Sequence, residues 1–218
     1  MLDRISDGDP NGLMLHCGQM ASEYLITLAD PAQLPTLIKR GFLQGHSEPR
    51  IAFVGRSNVG KSSLINALLG QRIARVSATP GKTKAIHFFL WGGQKKIVAD
   101  LPGYGFAKVA KDEMKSWSRL MDAYFAADTN LMAVLMLFDS RHGPTDQDLE
   151  ALEFFATKGT PIQIVMTKTD QLKTQSDRAK RKREVSALLS PYGIEDADLA
   201  WVSVKDQRAL EALREKLA

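Results

Sequence analysis

Apolar positions along this chain follow two alternating rhythms. Short β-prone runs fall at 50–54, 85–91, 95–100, 131–139, 161–167 and 200–204. Between and after them lie stretches where apolar residues return every three or four positions, at 63–69, 112–127, 146–158 and 207–217, and a largely basic stretch at 176–189 that reads as a further helix. The first rhythm predicts strands and the second amphipathic helices. Gly92-Gly93 reads as a hairpin turn between two of the strands, and Asp112 stands where a helix N-cap belongs. Pro191 and Gly193 stop the helix that begins at 176. Upstream, 23–28 has the makings of a further short strand and 31–40 of a short helix.

Apolar strands that alternate with helices imply a mostly parallel sheet covered on both faces. Six strands are expected, one of them an antiparallel edge strand supplied by the hairpin. The first 22 residues are acidic and glycine-rich at their start, and read as a poorly ordered extension. Residues 23–218 then form one α/β domain.

Composition narrows the class only a little. The 218 residues are 44% hydrophobic and 25% charged, the profile of a globular protein. A single cysteine, Cys17, excludes an internal disulfide framework and suits a reducing, cytoplasmic setting. The apolar run at 131–138 is far short of a membrane span. Net charge is +4, but its distribution says more. Six basic residues and no acidic one lie between 71 and 99, and seven basic against two acidic between 168 and 183. Such runs favour a polyanionic partner, although each alone is equally well a solvated face.

Specific chemistry enters with Gly55-Arg56-Ser57-Asn58-Val59-Gly60-Lys61-Ser62, which fits G-x-x-x-x-G-K-[ST] between a strand and a helix. In that context backbone N–H groups curl around phosphates, Lys61 reaches the β and γ phosphates, and the Ser62 hydroxyl binds Mg2+. The fold class is therefore that of a P-loop NTPase. Asp100-Leu101-Pro102-Gly103 closes a later strand; alone it is a common turn. Downstream of a P-loop its aspartate suits Mg2+ through water, and the Gly103 N–H suits the γ-phosphate.

Thr167-Lys168-Thr169-Asp170 ends another strand and separates guanine from adenine. The Asp170 carboxylate accepts two hydrogen bonds from guanine N1–H and its exocyclic amine, a donor pair that adenine lacks. The stem of Lys168 lies over the base, and the Ser203-Val204-Lys205 stretch, with Val202 before it, offers a backbone N–H to guanine O6. Within Thr79-Pro80-Gly81-Lys82-Thr83, Thr83 is the favoured switch threonine, completing the Mg2+ shell while the γ-phosphate is present; Thr79 is the rival. Lys61, Thr83, Gly103 and Asn58 are the candidate catalytic group.

The stretches 53–66, 79–83, 100–108, 139–148 and 167–170 together resemble the EngB family, also called YihA or YsxC, of bacterial ribosome-biogenesis GTPases. The resemblance runs from about residue 51 to the end of the sequence, with family motifs between 50 and 206. It implies a GTPase fold, bound GTP or GDP, Mg2+, and a role in assembling the large (50S) ribosomal subunit, with a link to cell division and septation. It also implies that Asn58 helps hold K+ beside the phosphates; stabilising the loop turn is the rival role. The match is looser at Ser203-Val204-Lys205, where related GTPases usually have a small second residue.

Many GTPases place a glutamine directly after the D-x-x-G glycine to orient the attacking water; here that position is Tyr104. Intrinsic turnover is therefore expected to be slow, about 10⁻³ s⁻¹ or less. The helix at 176–189, carrying Arg178 and 180–183, is expected to meet ribosomal RNA of a large-subunit precursor, and the chain is read as a monomer. A P-loop kinase or ATPase and a membrane-associated signalling GTPase are the competing classes. The guanine motif argues against the first, and the absence of a lipidation motif in the sequence against the second.

Overall fold

The computed structural model describes residues 21–44, 48–74, 85–105 and 111–218. Their order is β1 (Glu23–Leu28), α1 (Leu34–Lys39), β2 (Arg50–Gly55), α2 (Lys61–Leu69), β3 (Ile86–Trp91), β4 (Lys96–Asp100), α3 (Lys111–Ala127), β5 (Leu131–Asp139), α4 (Asp146–Ala156), β6 (Ile162–Thr167), α5 (Gln175–Leu189), β7 (Leu199–Trp201) and α6 (Gln207–Lys216). One seven-stranded sheet runs β1-β3-β4-β2-β5-β6-β7. β3 is antiparallel to both β1 and β4, and every other pairing is parallel.

The fold class is the expected one, with one addition. Residues 23–28 do form a strand, so the sheet has seven strands rather than six, and β3 sits one place in from the edge. Glu23–Leu28 can pair there because Ile26 and Leu28 turn inward against the core while Tyr24 stays exposed. The β3–β4 connection is a short 3-10 turn, Gly92–Gln94, closed by Lys95 at a positive φ of 49°. α3 begins at Lys111, so Asp112 lies within the helix instead of capping it. β7 ends at Trp201, which leaves Ser203 and Val204 in the loop beyond the strand.

Side-chain alternation divides the core between the two faces of the sheet. In β2, Ile51 and Phe53 face α2 and α6, packing with Leu64, Leu68, Leu210 and Leu213. Ala52 and Val54 face the other way, towards Leu120, Tyr124, Leu152, Phe155 and Leu189. A period of two within a buried strand produces this split. At the end of β2 remote from the loops, Arg50 is fully buried and donates from Nε to Asp128 at 2.6 Å, its guanidinium 5.7 Å from the Phe42 ring. α5 is the exception among the long helices: of its fifteen residues only Val185 and Leu189 are buried.

Candidate functional site

The parallel strands β2, β4, β5 and β6 all deliver their carboxyl ends to the same side of the sheet. β2 lies where the strand order reverses, between β4 and β5, which is where open α/β sheets bind ligands. The residues singled out in the sequence follow from those strand ends.

The loop after β2 is shaped by its backbone. A Cβ on Gly55 would fall 2.8 Å from Val59 Cγ1 and 2.9 Å from the Leu137 carbonyl oxygen, so only glycine fits beneath the loop. Asn58 and Gly60 both take positive φ, 62° and 104°, which carries the chain round into α2. Asparagine tolerates that region better than most residues, so Asn58 has a structural reason for its place as well as an exposed side chain. Arg56 and Ser57 are half-buried, and Val59 is buried. Gly60 supplies no side-chain cap to α2. The first N–H groups of the helix are therefore open to an outside acceptor, and the positive end of the helix dipole points the same way, an arrangement that can hold an anion.

Lys61 and Asp100 meet at the head of that loop. The Lys61 ammonium donates to Asp100 Oδ1, and to the Leu101 carbonyl at 2.8 Å. Their side chains are only 11% and 7% exposed, so each charge is offset where water is scarce. Ser62 lies half-buried in the first turn of α2. A hydroxyl and a carboxylate are hard oxygen donors of the kind Mg2+ takes.

Beyond Asp100 the chain presses against the phosphate loop. A Cβ on Gly103 would lie 2.9 Å from the Gly55 carbonyl oxygen and 3.7 Å from the Ser57 nitrogen. Pro102 accepts a hydrogen bond from Trp117 Nε1 at 3.1 Å, which ties the segment to α3. Tyr104 pairs with Arg56 in a single parallel bridge and then turns into the core, 8% exposed. Its hydroxyl donates to Asp148 Oδ1 at 2.9 Å. Burial first, then the neighbouring Asp148 carboxylate, raises the Tyr104 phenol well above its ordinary pKa. Asp148 also accepts from the Thr145 N–H and hydroxyl, and Arg56 donates to Thr145 Oγ1 at 3.0 Å.

The base-reading candidates converge after β6. Thr167 is buried and donates to the carbonyls of Val59, at 2.7 Å, and Phe138, at 3.1 Å, joining this loop to the phosphate loop. Lys168, at φ 58°, donates to the Asn58 carbonyl at 2.6 Å and to Asp139 Oδ2 at 2.9 Å. Thr169 donates its N–H to the Val202 carbonyl at 3.4 Å. Asp170 accepts from Ser203 Oγ at 2.9 Å, from Lys205 Nζ at 2.8 Å and from Gln171 Nε2 at 3.0 Å. The Lys205 hydrogen bond leads in holding the Asp170 carboxyl at a pKa of about 2. Val204 is exposed at the edge of this cluster.

Two partnerships escaped the sequence reading. Asp139, which ends β5, binds Lys168 on one side and the Arg141 guanidinium on the other, at 2.7 Å from Nη2. Burial pushes its carboxyl up, but the hydrogen bonds from Arg141 and Lys168 prevail and hold its pKa at about 2. Asp148 was readable from the residues only as the fourth position of a T-x-x-D helix start, which is most often an ordinary cap. Gly81, Lys82, Thr83 and the rival Thr79 lie outside the described residues. Among the described residues, no group of three or more His, Cys, Asp or Glu side chains is placed to hold a metal ion.

Comparison with known proteins fits this geometry. The family model described as 50S ribosome-binding GTPase matches residues 50–168. The EngB GTP-binding protein of Petrotoga mobilis is 44% identical over 160 residues, 73% of this chain and 81% of the relative. That of Thermotoga maritima is 49% identical over 143 residues, covering 66% of this chain and 72% of the relative. The crystal structure of an EngB GTP-binding protein superposes with a TM-score of 0.57 at 22% identity, over 77% of this chain and 96% of the other, a likeness of fold. The chain belongs to the EngB family of GTP-binding proteins, and it is a GTPase.

Proposed function

We propose that this GTPase is a slow switch that binds the large ribosomal subunit or its precursor while it holds GTP. Residues 23–218 are the working unit, and its place is the cytoplasm. The observation that carries the partner is α5. Its fifteen residues bury only two, while Arg178, Lys180, Lys182 and Arg183 are all exposed. A helix polar on nearly every side gains little from its own fold and is suited to a charged partner. The family model's own description, a 50S ribosome-binding GTPase, agrees. A link to cell division and septation belongs to the same reading.

In this reading Asp170 receives the guanine edge, and the stem of Lys168 lies against its face. The N–H groups at the start of α2 receive the phosphates, and Lys61 turns from Asp100 to the β and γ oxygens. Ser62 and Thr83 would hold Mg2+ directly and Asp100 through water. The ion, when bound, neutralises phosphate charge. The Gly103 N–H meets the γ-phosphate. Slow turnover is supported by Tyr104, whose hydroxyl is committed to Asp148 inside the core and so is withheld from the attacking water. The exposed side chain of Asn58 is free to help hold K+ and supply the missing positive charge.

Co-sedimentation with large subunits is the test. The chain should pellet with them when loaded with a non-hydrolysable GTP analogue and remain in solution with GDP. Equal partition in both nucleotides would remove the switch, and no pelleting in either would remove the partner.

A further inference from the structure

A polar cleft of about 410 Å³ opens beside the base-reading loop, between α5 and the turn that follows β5. Arg141, Lys173, Lys180 and Arg181 line it together with Asp177 and Glu184. Both carboxylates already have partners. Glu184 accepts from Arg181 Nη1 at 2.9 Å, with Lys180 at 3.9 Å, and Asp177 caps its own helix through the Thr174 N–H at 3.2 Å. The Lys180 side chain is 74% exposed and that of Arg141 43%, so both reach the mouth of the cleft.

The floor of the cleft is built. Arg181 donates to the carbonyls of Arg141, at 2.8 Å, and His142, at 3.1 Å, which fastens α5 to the turn. Gly143, at φ 74°, makes room for it, since a Cβ there would lie 3.2 Å from Arg181 Nη1. The Arg181 Nε–H is buried and has no acceptor among the described residues. A buried donor left without an acceptor adds to the positive field at the floor of the cleft. Among the described residues, Leu172 is the single apolar side chain in the lining and is itself buried. A protein partner would find no apolar or aromatic anchor here, whereas a phosphate chain needs none.

We propose that this cleft is a binding site for RNA backbone phosphates, held chiefly by Lys173 and Lys180, while the Arg141 guanidinium, paired with Asp139, and that of Arg181, paired with Glu184, add to its positive field. The proposal rests on the reading of α5 as the helix that meets ribosomal RNA, and it selects one side of that helix. Positions 173, 177, 180, 181 and 184 gather around the cleft. Lys182 lies apart, 5.8 Å from the Trp201 ring.

The test uses the full chain, loaded with a non-hydrolysable GTP analogue, and ribosomal RNA extracted from purified large subunits. Two double variants are compared, Lys173→Gln with Lys180→Gln, and Lys182→Gln with Arg183→Gln; all four side chains are exposed, so the fold should survive. The cleft pair should lose about ten-fold in affinity near 0.1 M salt, and its plot of log affinity against log salt should flatten by about 1.5, two phosphate contacts' worth. The other pair should lose less than about three-fold. Should the second pair lose affinity and the cleft pair keep it, the RNA meets another face; the ribosomal reading then stands and this site does not. Binding untouched in both pairs overturns the site and the role of the helix together. A cleft pair that loses binding to whole subunits, while the wild type ignores the naked RNA, means an acidic protein partner and also overturns the proposal.

Discussion

Tyr104 and Asp148 are 44 residues apart, yet the tyrosine hydroxyl donates to the aspartate at 2.9 Å inside the core. The contact fastens the segment after Gly103 to the first turn of α4, and through Thr145 to Arg56 of the phosphate loop. Tyr104→Phe leaves Asp148 one donor short and should cost about 1–2 kcal/mol of stability, measured by urea unfolding. Single-turnover GTP hydrolysis should change less than about three-fold, because the hydroxyl has no part in orienting water. A hundred-fold loss in rate at unchanged nucleotide affinity would give Tyr104 a catalytic role and refute this account.

Asp139 holds the ammonium that spans the base and phosphate loops. Asp139→Ala leaves Lys168 with the Asn58 carbonyl and removes the pairing of Arg141. GDP dissociation, followed with a fluorescent analogue, should accelerate by about ten-fold, the loss of one charge-assisted hydrogen bond. An unaltered dissociation rate would reduce Asp139 to a local turn residue.

The pH dependence of base recognition follows from Asp170. Its folded pKa of about 2 lies below the ordinary aspartate value, so the stabilising interaction of the ionised form is complete above about pH 4 and fades as pH falls towards 2. Guanine affinity should therefore carry no step from Asp170 between pH 5 and 8. Carbon NMR of the carboxyl group checks this directly, and a midpoint near 4 or higher contradicts it.

Potassium is the fourth question at the site. If the exposed Asn58 side chain helps hold K+ beside the phosphates, turnover in KCl should exceed that in NaCl by about ten-fold or more, the scale of a partial charge-stabilising group. Asn58→Ala should abolish the difference. Equal rates in the two salts leave Asn58 with its other role, turning the loop at φ 62°.

At the far end of β2, Asp128 offsets a fully buried Arg50. Asp128→Ala strips the arginine of its carboxylate partner and should destabilise the protein by about 3–5 kcal/mol. Replacing the two together by apolar residues of similar volume should recover most of that loss. Thermal unfolding of the single and double variants measures both effects.

Much of this was legible in the chain itself because it is encoded locally. Gly55, Gly60 and Lys61 announce their loop by spacing, and Thr167 to Asp170 announce theirs by standing at a strand end. The strands and helices follow from periods of two and three to four, with ends that coincide or differ by up to three residues. Asp139 was not legible, since a strand-ending aspartate before Arg141 looks like any turn until β5 and β6 lie side by side. Nor was the fate of Tyr104, which depends on a partner brought by α4 from far along the chain. The strand at 23–28 stayed ambiguous for a similar reason. Its pattern is weak, and only its pairing with β3 across some sixty residues, Thr27 opposite His87, makes it part of the sheet.

That pairing also sets a mechanical boundary. β3 is bonded along both margins, so it has no free side on which to slide. A slip by one residue would exchange the faces of Phe88 and Phe89, which pack into different halves of the core. From Ile86 onward the sheet is therefore locked in register and serves as a fixed abutment.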